Sequence, residues 1–257
     1  MSTPALLLTL LLLAFLAWTA WYWFARRRRV RPLTAEQKAI LEKQVAFYRR
    51  LSEADKERFE QGISQFLEEV TITGVETEVA EADRLLVAAS AAIPLFGFPG
   101  WRYRNLNEVL LYPDNFDEDY QVKAAQRDII GMVGSGAMNR MMILSQPALR
   151  ASFAHPERRH NVGIHEFIHL LDKADGSTDG IPEVLIPQEY VVPWLRMMHH
   201  EIQEIKAYDS DINPYGATNE AEFLSVAAEY FFSQPEKLER NHPELYEMMS
   251  RIFRQEP

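Results

Sequence analysis

The stretch His165-Glu166-Phe167-Ile168-His169 sets reactive residue types at a spacing that can do chemistry. On an α-helix, residues four apart project from one face, so the two imidazoles of H-E-x-x-H can hold a single Zn²⁺. Glu166 lies beside that face, placed to take a proton from water that the metal has made acidic as the water attacks a carbonyl. Phe167 and Ile168 are expected to pack the helix into the core and so fix the ligands. Asn161, four residues before His165, reads as the N-cap. The competing reading is a coincidence of two histidines and a glutamate on a surface helix.

A catalytic zinc takes three protein ligands and keeps a fourth position open. The chain has no Cys, so the ligands come from His, Asp and Glu. Asp175 stands where the H-E-x-x-H-x-x-G-x-x-H class carries its last ligand, but that class needs Gly at position 172 and this chain has Asp172. Asp172, one turn after His169, reads either as an acceptor for a ligand imidazole or as a helix-end residue facing water. The other source is a later helix with Glu220, Glu222 and Glu229. Glu222 and Glu229 are seven apart and share a face, whereas Glu220 points elsewhere. Glu222 also fits a capping box with Asn219, and Glu229 fits an exposed or supporting carboxylate. Spacing alone does not choose among them.

The elements that must position these residues are mostly helical. Thr34 to Gln37 forms a capping box that opens a helix to about Leu51, and Ser52 to Asp55 opens a second, to about Glu69. Val70 to Val75 reads as a strand, Ala82 to Ala92 as a buried helix, and Val109 to Tyr112 and Met141 to Leu144 as short strands. Asp114 to Tyr120 reads as an acidic surface loop. Gly131, Gly134 and Gly136 have the wrong spacing for a dinucleotide-binding turn. Helices follow at Asn161 to Leu171, Val192 to Tyr208, Asn219 to Ser233 and Pro243 to Phe253, with a turn at Pro214 to Gly216. The order implies an α+β, mostly helical class. Met141 to Ser145 reads as an ordinary core strand, with an edge strand for an extended substrate as the alternative.

Composition is globular: 257 residues, 47% hydrophobic and a quarter charged, with 27 basic against 37 acidic side chains. The absence of Cys excludes disulfides, thiolate zinc sites, iron–sulfur clusters and a Cys nucleophile. Residues 5–24 carry no charge, and at 1.5 Å per residue they reach about 30 Å, the thickness of a bilayer core. Trp18, Trp21, Tyr22 and Trp23 crowd its end, and Arg26, Arg27, Arg28, Arg29 and Arg31 follow. We therefore expect residues 1–32 to be a transmembrane anchor with a basic collar and residues 33–257 to be the working domain. The chain would be single-pass in the inner or plasma membrane, with its N-terminus outside and its catalytic domain cytoplasmic. Without its five collar arginines the chain keeps 22 basic against 37 acidic residues. That balance argues against direct nucleic-acid binding.

The segment NPYGATNEAEF (residues 213–223), with HEFIHLLD (165–172) and AAEYFFSQP (227–235), resembles the MtfA family, the Mlc titration factor type of zinc peptidases. It also resembles the catalytic domain of anthrax lethal factor. The resemblance covers most of residues 33–257 and implies a zincin-like, gluzincin-type metallopeptidase fold. It further implies His165, His169 and Glu222 as zinc ligands, Glu166 as general base, and Tyr215 as an active-site hydrogen-bond donor to the oxyanion. Peptide or protein substrates, aminopeptidase-type activity and a transcriptional repressor as partner are implied in the same way. The alternative is a non-catalytic, zinc-containing protein that sequesters a regulatory partner at the membrane.

Overall fold

Thr34 opens the first helix, α1 (Ala35–Gln44), by the expected reciprocal cap. Its hydroxyl accepts from the Gln37 N–H at 3.2 Å, and the Gln37 side chain accepts from the Thr34 N–H at 2.8 Å. The helix does not continue to Leu51. Val45, buried and extended, breaks it and starts α2 (Ala46–Arg50), which turns Phe47 and Tyr48 into the core beside Phe59. Ser52 then caps α3 (Glu53–Glu69), accepting from the Asp55 N–H. The structure is a computed structural model describing residues 15, 18, 19, 31–116, 129–134, 138–155, 157 and 160–257.

The sheet is built from β1 (Thr71–Gly74), β2 (Glu108–Tyr112), β3 (Gly131–Val133) and β4 (Met141–Ser145), in the order β1-β2-β4-β3. The first three neighbours in that order run parallel, and α4 (Glu81–Leu95) makes the crossover from β1 to β2. β3 pairs antiparallel with β4 and forms the outer strand. Met141–Ser145 is therefore an interior core strand among the described residues, and the edges are β1 and β3, the latter a segment whose glycines hide it from a strand reading.

Helix α5 (Gln146–Ala154) follows β4 directly, with the Ser145 hydroxyl accepting from the Ala148 N–H. Then come α6 (Val162–Asp172), α7 (Gln188–Lys206), α8 (Glu220–Ser233), α9 (Pro235–Asn241) and α10 (Pro243–Phe253). The sequence reading lacked α5 and α9. In α9, Pro235 occupies the first helical turn, where its missing N–H costs nothing. The class is α+β and mostly helical, as expected.

Helix α6 packs against α4, α8 and β3. Phe167 is fully buried, its ring 5.5 Å from Phe66 and 5.0 Å from Tyr103, and Ile168 is buried beside it. Gly163 permits the close approach of α6 to α4, because a Cβ there would fall 2.1 Å from the Ser90 hydroxyl. The expected packing face of H-E-x-x-H is thus real, and it immobilises the helix from within.

The chain divides into two compact units, Met1–Arg31 and Pro32–Pro257. No helix among the described residues is long and apolar enough to cross a membrane. This overturns the expected localisation, a single-pass protein of the inner or plasma membrane with a cytoplasmic catalytic domain. Apart from Phe15, Trp18 and Thr19, the apolar stretch on which it rested lies outside the described residues, as do positions 117–120 of the acidic loop.

Candidate metal centre

Asn161 begins α6 as read from sequence, its side chain accepting from the Ile164 N–H at 3.0 Å. One turn on, His165 and His169 project toward α8 with ring centroids 4.8 Å apart. Asn219 caps α8 by accepting from the Glu222 N–H at 2.9 Å. The cap is one-way and not the capping box read from sequence: the Glu222 backbone donates to Asn219, while its carboxylate reaches the histidines. Glu222 Oε2 lies 3.0 Å from His165 Nε2 and 3.4 Å from His169 Nε2, and the two Nε2 atoms are 3.1 Å apart.

These three side chains form the metal-competent group among the described residues, with one ligand atom from each lying within 4.8 Å of the others. The fit can be tested on its edges. Zinc bonds of 2.0–2.1 Å in a tetrahedron set ligand atoms about 3.3 Å apart, close to the three separations found. Two imidazole nitrogens facing each other at 3.1 Å are also lone pair against lone pair when both are unprotonated, and a cation relieves that contact. Donor set and spacing both fit a divalent metal.

The other carboxylates sort clearly. Asp175 accepts from the Ser177 backbone and hydroxyl in an exposed turn, away from the histidines. Glu220 lies 3.6 Å from His199 on the surface. Asp172 neither faces water nor accepts from a ligand imidazole. It is fully buried, accepts the Gly180 N–H at 3.0 Å through Oδ2, and leaves Oδ1 without a partner. Burial pushes its carboxyl up to about 6 against the lowering effect of that N–H. Glu229 stands behind His165, with Oε1 2.7 Å from Nδ1, the ring nitrogen turned away from Glu222.

Two further positions were missed by sequence reasoning. Ser225, fully buried on α8, brings its hydroxyl to 3.4 Å from His169 Nδ1. Gly131 on β3 lies against Glu166: a Cβ there would come within 2.6 Å of Glu166 Oε1. Neither residue belongs to a motif, and only the packed sheet brings Gly131 to α6.

The family model for the glucose-regulated metallo-peptidase M90 family matches residues 20–254. This chain belongs to that family. Among its relatives is the uncharacterized protein slr2042 of Synechocystis, 30% identical over 275 aligned residues that take in 100% of this chain and 98% of that protein. Mlc titration factor A of Pectobacterium atrosepticum is 27% identical, with 92% of each chain covered. Mlc titration factor A of Yersinia pestis is 28% identical, with 92% of this chain and 90% of that protein covered. Membership in M90 implies a metal cofactor and supports a zincin-like metallopeptidase fold.

Electrostatics in the M90 site follow from crowding three carboxylates around two imidazoles. Burial pulls the His165 imidazole down, but Glu229, Glu222 and Glu166 hold it well above its ordinary value. Burial opposes the charge on Glu222, yet hydrogen bonds from His165 and His169 bring its carboxyl down to about 2. Glu229 is likewise penalised by burial and held below the usual glutamate range by His165 and His160. Glu166 goes the other way: burial dominates and raises it. Tyr215 sits on the single turn Pro214–Ala217, where Asn213 accepts its N–H. Its ring is half-exposed, 6.0 Å from that of His165, and burial followed by Glu222 raises its phenol.

Proposed function

We propose that this M90 protein is a zinc-dependent peptidase in which His165, His169 and Glu222 hold the metal, Glu166 is the general base and Tyr215 assists at the oxyanion. The observation that carries the reading is the convergence of three ligand atoms from α6 and α8 beside the buried Glu166. Bound zinc supplies Lewis acidity, making water nucleophilic near pH 7 and polarising a carbonyl.

The chain's own residues do the rest. The Glu166 carboxylate accepts the proton that water sheds on attack and returns it to the departing amine. The half-exposed Tyr215 phenol donates a hydrogen bond to the oxygen that gains charge. The outward N–H and C=O groups of Gly131 and Val133, which the antiparallel register leaves unpaired to β4, offer an edge to an extended peptide. Residues 33–257 are the working unit, and short, aminopeptidase-type substrates are the first to try.

The test is to purify the protein, measure its zinc by plasma emission and assay chromogenic amino-acid and peptide substrates. Glu166→Gln should keep the zinc and lose turnover by about 10²- to 10⁴-fold. If that variant cleaves as fast as the parent, Glu166 is not the base.

A second reading draws on the relatives named Mlc titration factor A. In it the chain captures a transcriptional regulator, and zinc serves structure. Capture that survives both Glu166→Gln and zinc chelation would favour this reading. Loss of capture with the metal would tie the two activities to one site.

A further inference from the structure

Helix α8 meets His165 twice. Glu222 approaches Nε2, and Glu229, seven residues on and two helical turns along the same face, approaches Nδ1 at 2.7 Å. The two ring nitrogens of this imidazole are therefore held from opposite sides by one helix. Among the described residues, His169 has no such carboxylate: its Nδ1 meets the Ser225 hydroxyl at 3.4 Å.

Glu229 is 1% exposed, yet each of its oxygens is occupied. Oε1 takes His165 Nδ1. Oε2 takes the Asn161 N–H at 2.5 Å and His160 Nδ1 at 2.9 Å. The Asn161 contact ties the carboxylate to the residue that caps α6. Burying a carboxylate is costly unless it is paired and hydrogen-bonded, and here every contact converges on the start of the metal helix.

We infer that Glu229 is a positioning residue: it accepts the Nδ1–H of His165 and so fixes the tautomer and ring orientation that present Nε2 to the metal. A neutral imidazole has one N–H and one lone pair, so a strong acceptor at Nδ1 leaves the lone pair at Nε2. The same hydrogen bond makes the ligand nitrogen more basic and strengthens its bond to a cation. The i, i+7 pair thus divides labour along one helix face, with Glu222 binding the metal and Glu229 aiming its neighbour. This inference rests on the metal-site reading proposed above.

The experiment uses the full chain, wild type and Glu229→Gln, with zinc as the probe. Glutamine keeps the shape and a carbonyl acceptor but removes the charge. Zinc affinity by chelator competition is expected to weaken by about 10- to 100-fold in Glu229→Gln. Turnover lost at limiting zinc should return at excess zinc, whereas that of Glu166→Gln should not. Equal zinc affinity in the variant and the parent would overturn the inference and leave the peptidase reading intact. No zinc bound by the wild type would overturn both.

Because Glu229 also holds the Asn161 N–H, the variant is checked for folding by circular dichroism. A second measurement needs no variant. Long-range ¹H–¹⁵N correlation on the zinc-loaded wild type should place the His165 proton on Nδ1, in a downfield, exchange-protected resonance. A proton on Nε2 would overturn the inference.

Discussion

At the scale of single residues, the proposed roles separate holding a metal from using it. His165, His169 and Glu222 meet at one point, while Glu166 lies beside that point against β3. Gly131 matters here because its missing side chain is the space that Glu166 occupies. Gly131→Ala places a methyl group 2.6 Å from Glu166 Oε1 and 2.8 Å from Val162 Cγ2, so the carboxylate, the mobile partner of the two, must move. The three ligands are untouched. We expect full zinc content and a fall in kcat on the order of 10²-fold, the cost of a displacement of about 1 Å. Steady-state kinetics alongside metal analysis checks this. Undiminished kcat, or loss of the zinc itself, would show that Gly131 does not govern Glu166.

At the scale of elements, α6 is defined by its ends and its buried face. Asn161 caps its N-terminus, Phe167 and Ile168 lock it into the core, and Gly163 lets α4 lie close against it. Removing the cap with Asn161→Ala should cost about 1 kcal/mol, because the Ile164 N–H then loses its buried acceptor. For a chain of this size that lowers the melting temperature by roughly 2–4 °C. Asn161→Gly should cost less than the alanine change, since glycine is tolerated at the N-cap far better than alanine. Differential scanning calorimetry of both variants tests the ordering, and an alanine variant as stable as the glycine one would contradict the cap. The element also explains the ligand arrangement. Two imidazoles can share a metal because four residues make about one turn, and α8 supplies its carboxylates because two turns separate Glu222 from Glu229.

At the scale of the whole molecule, the C-terminal helices are tied together by a polar cluster away from the metal site. His242 sits between Glu201 on α7, 3.2 Å from Nδ1, and Asp211, 2.9 Å from Nε2. Asp211 also accepts from Tyr230 on α8 and Asn241 on α9 and pairs with Lys237. The hydrogen bond to Glu201, opposed by burial and aided by Asp211, raises the His242 imidazole. Burial opposes the Asp211 charge, but His242, Tyr230, Lys237 and Asn241 hold its carboxyl well below the aspartate range. The signs follow from linkage. The Asp211 contribution is present above the unfolded aspartate value of about 3.9 and is lost as pH falls through the folded one. The His242 contribution is complete below about 6.5 and is lost as pH rises through the raised folded value. The cluster therefore stabilises most between about pH 4 and 6.5. The melting-temperature gap between wild type and His242→Asn should be widest near pH 5.5 and shrink toward pH 9. A gap that stays constant over that range would mean that charge on His242 contributes nothing.

Local rules made much of this protein legible in its sequence. Periodicity, caps and turn residues foretold α6, α8, their N-caps and three of the four strands, each to within about a residue at either end. The imidazole pair was legible because i, i+4 geometry is a property of any helix. The apolar stretch was read from its length, lack of charge and flanking aromatic and arginine residues, and no described helix supports the localisation drawn from it. Strand β3 escaped because it is short and begins with a glycine, and its place at the edge depends on pairing with β4. The choice of Glu222 over Asp175 and Glu220, the burial of Asp172, the turn of Glu229 toward His165 Nδ1 and the fit of Gly131 against Glu166 are contacts between distant segments. Spacing along a helix says which side chains share a face, but not which face meets another element. Packing decides that, through shape and burial summed over the core.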